Sequence, residues 1–296
     1  MTPVLFDTDI GNDIDDAVAL AYLLCQKDCE LVGITTATGD TAKRAALCEV
    51  ICRAAGREEI PIHAGLAGPL LHGTEQGVAQ YAAIESLPHR KDYPTGFGAL
   101  EFLRNTIRSR PGEITLLAVG PLTNIGTLFA ADPELPVLLK RIVLMCGRFT
   151  DGGPGAREWN ALLDPIATAL TYKHGTGKLL SVGLDVTLKC VLPAAPVRER
   201  FAAAGGALAA TLGMAEVWFN HADHLTFHDP LAAALLFAPE LCTYQSGTVT
   251  PVMEPGPLEG LTRWQAEKNG PHEIAISVDV DAFFAHYFRV TRDESG

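Results

Sequence analysis

The 296-residue chain is expected to fold as an α/β protein with an open, mainly parallel β-sheet flanked by helices, in a single domain over residues 1–296. Three observations lead there. Short β runs alternate with segments of helical spacing along most of the sequence. Hydrophobic residues make up 48% and charged residues 20%, which supplies a sizeable core and leaves little room for disorder. No linker, repeat or low-complexity stretch interrupts the pattern.

The elements follow in order. Residues 4–6 (VLF) read as a buried strand, and residues 16–24 as a helix with Ala17, Leu20, Ala21 and Leu24 at helical spacing. Residues 31–36 (LVGITT) are a second strand. Residues 41–55 are a helix whose capping residue is Asp40. Residues 60–62 form a short strand. The stretch 63–98, rich in Gly, Pro and His, reads as a long loop with a helix inside it, and loops of that length are usually functional. Residues 114–119 (ITLLAV) and 142–146 (IVLMC) are strands separated by a helix from near Pro121. A helix from about Asp164 leads to a strand at 179–184. Residues 194–237 read as mostly helical, 241–280 as a few strands, and 281–290 as a closing helix.

Composition narrows the partners. A formal charge of -12 disfavours nucleic-acid backbones and anionic lipid surfaces, and fits a small or neutral ligand. The start MTPVLFDTDIGND has no basic leader and reaches aspartate at the seventh residue, unlike a secretory signal. No apolar run approaches the ~18 residues of a membrane span. A cytoplasmic protein without membrane or nucleic-acid partners is the expectation. The seven cysteines are odd in number, and Cys25/Cys29 and Cys48/Cys52 sit one helical turn apart, which suits buried thiols better than disulfides or zinc.

The chemistry is concentrated in Asp7-Thr-Asp-Ile-Gly-Asn-Asp-Ile-Asp-Asp16, where five carboxylates fall within ten residues between a predicted strand and a predicted helix. In an open α/β sheet that junction is the carboxyl edge, where ligands bind. Like charges so close repel strongly, and a hard cation such as Ca²⁺ or Mg²⁺ removes the repulsion. Three later segments are able to complete a site. Gly120-Pro-Leu-Thr-Asn124 follows a strand and opens a helix. Glu158-Trp-Asn160 puts an acid and an amide on one side of an extended segment. His228-Asp229-Pro230 precedes an apolar helical run, where Asp229 alone is explained as an N-cap.

In this order, DTDIGNDIDD, GPLTN, EWN and HDP resemble the inosine–uridine-preferring nucleoside hydrolases, and the resemblance extends to the DVDAFFAHYF ending. It implies hydrolysis of the N-glycosidic bond of ribonucleosides by a Ca²⁺-held water, with Asp9 as general base. It assigns Asp9, Asp16 and Asp229 as calcium ligands, joined by the carbonyl of Thr123. Asp15, Glu158 and Asn160 would hold the ribose hydroxyls, and Asp7 would support the ligands from behind. A homodimer or homotetramer is implied. The chemistry suits these residue types on its own terms: nearby carboxylates stabilise an oxocarbenium-like sugar, and a carboxylate takes the proton of the attacking water.

The sequence departs from the commonest pattern in three places. The paired aspartates come four residues after Gly11 rather than two, which leaves Asp13 and Asp15 both open as the sugar ligand. Asp40 occupies a substrate-side position that is often Asn, and as a carboxylate it only accepts hydrogen bonds. Thr-Asp-Gly-Gly-Pro-Gly at 150–155 replaces a segment that often carries another ribose-contacting Asn. A leaving nucleobase needs a proton, and His228 is the first candidate for the acid, with His72, His221 and His224 behind it. His72 is also a substrate-binding candidate. His221 and His224, three apart on a predicted helix, would line a base pocket with Trp218. Two rival readings compete. Asp7-x-Asp9 after a strand also resembles the nucleophile motif of Mg²⁺-dependent haloacid-dehalogenase-like phosphohydrolases, but Asp15 and Asp16 would repel phosphate. A non-catalytic Ca²⁺-dependent nucleoside- or ribose-binding protein would have no reason to keep a base at Asp9.

Overall fold

The computed structural model describes residues 1–72, 76–151 and 155–292. Its strands are β1 (Thr2–Thr8), β2 (Cys29–Thr36), β3 (Ile62–Ala64), β4 (Thr115–Ala118), β5 (Arg141–Leu144), β6 (Leu179–Ser181), β7 (Val191–Pro193), β8 (His224–Thr226), β9 (Cys242–Pro251), β10 (Thr262–Ala266) and β11 (His272–Val278). The main sheet runs β10-β9-β11-β6-β5-β4-β1-β2-β3, and β7 pairs with β8 in a separate ribbon. From β3 across to β11 the neighbours are parallel, while β9 pairs antiparallel with both β11 and β10.

The parallel part is buried on both faces, so its strands are apolar runs rather than alternating ones. Val4 and Phe6 of β1 pack with the helices Asp15–Cys25 and Thr41–Ala54 on one face, and Leu5 packs with Phe97–Ser109 and Thr123–Ala131 on the other. Truncating Phe6, which is completely buried, to alanine would cost about 3–5 kcal/mol. On the Leu5 face two helices touch at backbone distance. A Cβ on Gly126 would lie 2.5 Å from the carbonyl oxygen of Ala167, which excludes any larger residue at this crossing.

Chain direction within the sheet decides where a ligand goes. After β1 the chain builds outward through β2 and β3, then returns to the other side of β1 for β4, β5 and β6. The reversal leaves a crevice beyond the carboxyl ends of β1 and β4, the usual ligand position in open α/β sheets.

Several expectations shift. The strand expected at 60–62 is observed as Ile62–Ala64, because Pro61 has no N–H for the ladder and contributes only its carbonyl, to Ile34 N. The strand expected at 179–184 ends at Ser181, and Leu184–Thr187 is a short helix. The helix expected inside 63–98 is a 3₁₀ turn at Ala79–Ala83. The stretch 194–237 is mostly helical, as expected, but is interrupted in its middle. Helices Ala194–Ala204, Gly206–Ala210 and Leu212–Trp218 are broken at Gly205, whose φ is +70°, and at Thr211, and the chain then pairs as β8 with β7. His221 and His224 are therefore not on one helix face. No helix among the described residues is long and apolar enough to cross a membrane.

Candidate active site

Beyond β1 and β4 lies a cavity of about 370 Å³, within the range of small-molecule sites. Asp9, Asp13, Asp15, Asp16, Glu158 and Asp229 line it, with Asn160, Val119, Met145, Trp159, Trp218 and His228 among the remaining walls.

Asp7 is the last acidic residue inside β1 and is fully buried. Its Oδ2 accepts from Thr35 Oγ1 at 2.5 Å and from Asn124 Nδ2 at 2.7 Å. Asn124 also donates to Thr36 O at 3.1 Å and accepts from Leu66 N at 2.9 Å, so one amide ties β1, β2 and the loop after β3 together. Burial pushes the Asp7 carboxyl up to about 7 against the pull of those hydrogen bonds. Asp7 is a buried brace behind the cavity and does not line it.

Asp9 stands where β1 ends. Burial raises its carboxyl to about 6, and the nearby Arg44 guanidinium holds it from going higher. Asp15 and Asp16 open the helix Asp15–Cys25, where the helix dipole favours negative charge. Asp16 accepts the hydroxyl of Thr8, and Asp15 Oδ2 accepts Asp229 N at 3.2 Å. Asp229 comes from the first turn of the helix His228–Ala234. Carboxylate oxygens of Asp15, Asp16 and Asp229 all lie within 4.8 Å of one another. All three are pushed well above the ordinary carboxylate range, first by burial and then by the neighbouring aspartates. Three buried acids at this spacing, all offering oxygen, fit a hard divalent cation. The expected ligand set had Asp9 where this trio has Asp15, and Asp9 faces the same cavity.

The opposite wall is the start of the helix Trp159–Leu163. Glu158 caps it, accepting from Asn160 N at 2.6 Å and Ala161 N at 3.0 Å, and it also accepts from Gly147 N at 3.0 Å. Burial still raises its carboxyl above the usual value. Asn160 Nδ2 donates to Val119 O at 2.6 Å and Met145 O at 3.0 Å, which fixes the amide across the ends of β4 and β5. His228 is held by Thr187 Oγ1 at 2.7 Å from its Nδ1, and burial lowers its pKa to about 4, so the free imidazole is neutral at neutral pH.

Five candidates fall elsewhere. Thr123 does not line the cavity: as the first residue of the helix Thr123–Ala131 its Oγ1 donates to Asp164 at 2.8 Å, and its carbonyl accepts the Thr127 hydroxyl at 2.7 Å. Val119, four residues earlier, supplies the backbone that borders the acids. Asp40 is the N-cap of Thr41–Ala54, accepting Lys43 N at 3.1 Å, and its half-exposed side chain pairs with Lys43 Nζ. The capping role accounts for it. His72 pairs with Glu259 away from the cavity lining. His221 and His224 are exposed, and Trp218 reaches the cavity without them while its Nε1 donates to His224 O at 2.9 Å. In the Gly-rich segment 150–155, residues 152–154 lie outside the described residues.

Sequence reasoning passed over several contributors. Asp185 is buried and accepts from Phe149 N, Thr150 N, Thr150 Oγ1 and Asp151 N, which pins the loop after β5 and lowers its own pKa. Asn12, Gln76 and Arg157 also line the cavity. A lone Gln or Arg in a loop carries no sequence signal that separates it from a solvated one.

An open α/β sheet with a carboxylate-floored cavity at its switch point defines an enzyme acting on a small, hydroxyl-bearing molecule. The model of the inosine-uridine preferring nucleoside hydrolase family matches residues 4–285, and the chain belongs to that family. It is 32% identical over 280 residues to a probable uridine nucleosidase 2 of Arabidopsis thaliana, covering 88% of this chain and 84% of that protein. It is 32% identical over 261 residues to the pyrimidine-specific ribonucleoside hydrolase RihA of Citrobacter koseri, covering 81% of each. Among solved structures, a plant nucleoside hydrolase, the PpNRh1 enzyme, superposes with a TM-score of 0.82 at 25% identity over 98% of each chain. A purine-preferring ribonucleoside hydrolase from Gardnerella vaginalis shares the fold, with a TM-score of 0.81 at 24% identity over 98% of each chain. The protein is thus a hydrolase of N-glycosyl compounds, with nucleosides as its small-molecule substrates.

Proposed function

We propose that this enzyme uses Ca²⁺ to hydrolyse ribonucleosides to free nucleobase and ribose, with Asp9 as general base. The observation that carries the reading is the convergence of Asp15, Asp16 and Asp229 beside Asp9 in one cavity. Asp9, Asp16 and Asp229 are the proposed carboxylate ligands, with Asp15 shared between the ion and a sugar hydroxyl. The Val119 carbonyl is the proposed backbone ligand in place of Thr123. When bound, the cation supplies charge neutralisation and an anchor for vicinal sugar hydroxyls and for the attacking water.

The chain's own residues do the rest. Water attacks C1′ as the C1′–N bond breaks, and the bonding pair leaves with the base. Asp9 takes the water proton on a carboxylate oxygen. Glu158 and Asn160 hold sugar hydroxyls from the opposite wall. The carboxylates stabilise positive charge developing on the ring. His228, neutral in the free site, is proposed to donate an N–H hydrogen bond to the departing base, and Trp218 and Trp159 offer that base aromatic surface.

The test is release of free base from a panel of ribonucleosides, uridine first because the curated relatives are uridine and pyrimidine nucleosidases, with and without a chelator. Base release that survives complete chelation would overturn the metal assignment. A panel without any turnover, in protein shown to bind ribonucleosides, would favour the binding-protein alternative.

A further inference from the structure

Residues 76–80 lie across the loop that carries Asp9, and they are fastened to it by more than packing. Gln80 is fully buried; its N donates to Gly11 O at 2.9 Å, and its Nε2 donates to Asn12 O at 3.1 Å and Asp13 O at 2.9 Å. Val78 presses on the same loop: a Cβ on Gly11 would fall 2.5 Å from Val78 Cγ1, and φ of +126° at Gly11 disfavours any other residue. Arg44, also fully buried, spans both pieces. Its Nη1 donates to the Asp9 carbonyl and, at 2.8 Å, to Ile10 O, while Nη2 donates to Gln76 O at 3.1 Å and Gly77 O at 3.2 Å. Its Nε is held by Thr38 O at 2.8 Å. One planar guanidinium therefore sets the distance between the Asp9 loop and Gln76.

The carboxamide of Gln76 is placed by this fastening. In the orientation its neighbours dictate, its nitrogen donates to Asp9 Oδ2 at 2.5 Å, and its oxygen accepts from Trp159 Nε1 at 3.0 Å and Asn12 Nδ2 at 2.9 Å. Turned over, it would set oxygen against the Asp9 carboxylate, acceptor facing acceptor.

We propose that Gln76 is a positioning residue for Asp9 and that Arg44 delivers it. The proposal rests on reading Asp9 as the base. A carboxylate that takes a proton from water works only when one oxygen is aimed at that water. A donor fixed on Oδ2 removes the rotation that would misaim it, and a hydrogen bond to an ionised carboxylate is among the stronger ones. The link from Gln76 to Trp159 ties this aim to the wall that carries Glu158 and Asn160. Arg44 touches no substrate in this scheme and acts through the backbone it clamps.

The experiment uses full-length protein saturated with Ca²⁺, assayed on uridine and inosine, as Gln76→Ala, Gln76→Glu, Arg44→Lys and the Arg44→Lys/Gln76→Ala double variant. Gln76→Ala should lower kcat by about 10- to 100-fold, the range for a hydrogen bond to a charged group. KM should move less than about 3-fold, because the aim of Asp9 matters at the transition state, and the melting temperature should fall by only a few degrees, the cost of the hydrogen bonds lost from the fold. Gln76→Glu should be worse than alanine, since it sets a second carboxylate against Asp9. A residue that merely fills space would show the opposite order, because Glu matches Gln in shape. In the Arg44→Lys background, adding Gln76→Ala should cost far less than it does in the wild type, as two residues acting through one contact are not additive. A near-wild-type Gln76→Glu enzyme, or a Gln76→Ala loss confined to KM, or full additivity with Arg44→Lys, overturns the proposal. If Arg44→Lys melts below the assay temperature, the two Gln76 variants decide alone. A wild-type enzyme that releases no base sinks the hydrolase reading itself, whereas an active wild type with indifferent Gln76 variants sinks only this proposal.

Discussion

Removing calcium should make the protein less stable at neutral pH than in mild acid, and the size of the effect follows from Asp9. Its carboxyl lies at about 6 in the fold against the ordinary 3.8, chiefly through burial. Between those values the folded chain keeps a proton that the unfolded chain has lost, so stability falls as pH rises through the window. Ionising Asp9 in the metal-free fold costs a few kcal/mol in all, of which about 1 kcal/mol falls between about pH 5 and pH 7.5. Asp15, Asp16 and Asp229 are raised for the same reasons and add to it in the same direction. A cation that binds the ionised cluster offsets this cost. The assay is thermal unfolding with excess EGTA or excess Ca²⁺ at both pH values, and the quantity read is the calcium-induced gain in Tm. That difference cancels every titration common to both samples. At roughly 2–4 °C per kcal/mol, the gain should be larger at pH 7.5 by a few degrees. An equal gain at both pH values, or a larger one at pH 5, would refute the argument that burial and mutual repulsion disfavour ionisation of these carboxylates until a cation arrives.

Other expectations follow from single contacts. Asp9→Ala should lower kcat by ~10²–10⁴-fold, measured as base release, and a single water displacement should give α-ribose first by NMR. Asn160→Ala should slow all ribonucleosides by similar factors, whereas His228→Ala should slow natural nucleosides much more than p-nitrophenyl riboside, whose leaving group needs no proton. Equal slowing of both substrate types with calcium affinity intact would remove His228 from the acid role. Ribonucleosides should outcompete 5′-nucleotides, because among the described residues six carboxylates, Asp9, Asp13, Asp15, Asp16, Glu158 and Asp229, line the cavity against the one guanidinium of Arg157. His272 accepts Val249 N on Nδ1 at 3.0 Å and is neutral in the fold, its pKa lowered by burial. Its contribution is complete above the unfolded value near 6.5 and is lost as pH falls through the lower folded value, so His272→Gln should flatten the acid side of the stability profile.

How far the sequence spoke depended on the range of the interaction. The strands at 4–6, 31–36 and 114–119 were legible because a doubly covered parallel strand is a continuous apolar run, and that local pattern survives in one dimension. The acids Asp7 to Asp16 were legible because charge density after such a run has few structural explanations. Arg44, Gln80 and Asp185 were not, since what they bind is backbone brought to them by the tertiary fold: carbonyls of the Asp9 loop for two of them, amides of the loop after β5 for the third. Thr123 came from the motif alone, and a motif records which residues recur and not which carbonyl borders the cavity, where Val119 stands. Asp40 was legible as a cap because the N-cap signal is local, and its carboxylate accepts Lys43 N at the start of the helix Thr41–Ala54. Residues 219–226 looked helical until β8 found β7, a pairing whose partner lies some thirty residues upstream.

Placing the first strand in the middle of the sheet, between β2 and β4, has a consequence for synthesis. β1 emerges from the ribosome first, yet one of its flanks stays bare until residues 115–118 are made. Asp15 and Asp16 wait longer still, because Asp229, which completes their trio, is translated after more than three-quarters of the chain. The nascent protein therefore carries an unfinished acidic mouth and an uncovered apolar strand edge together. A truncation between residues 118 and 229 would leave a folded-looking fragment whose sheet has closed around β1 but which lacks one of the three acids that converge on the proposed cation, on which its stability is expected to depend.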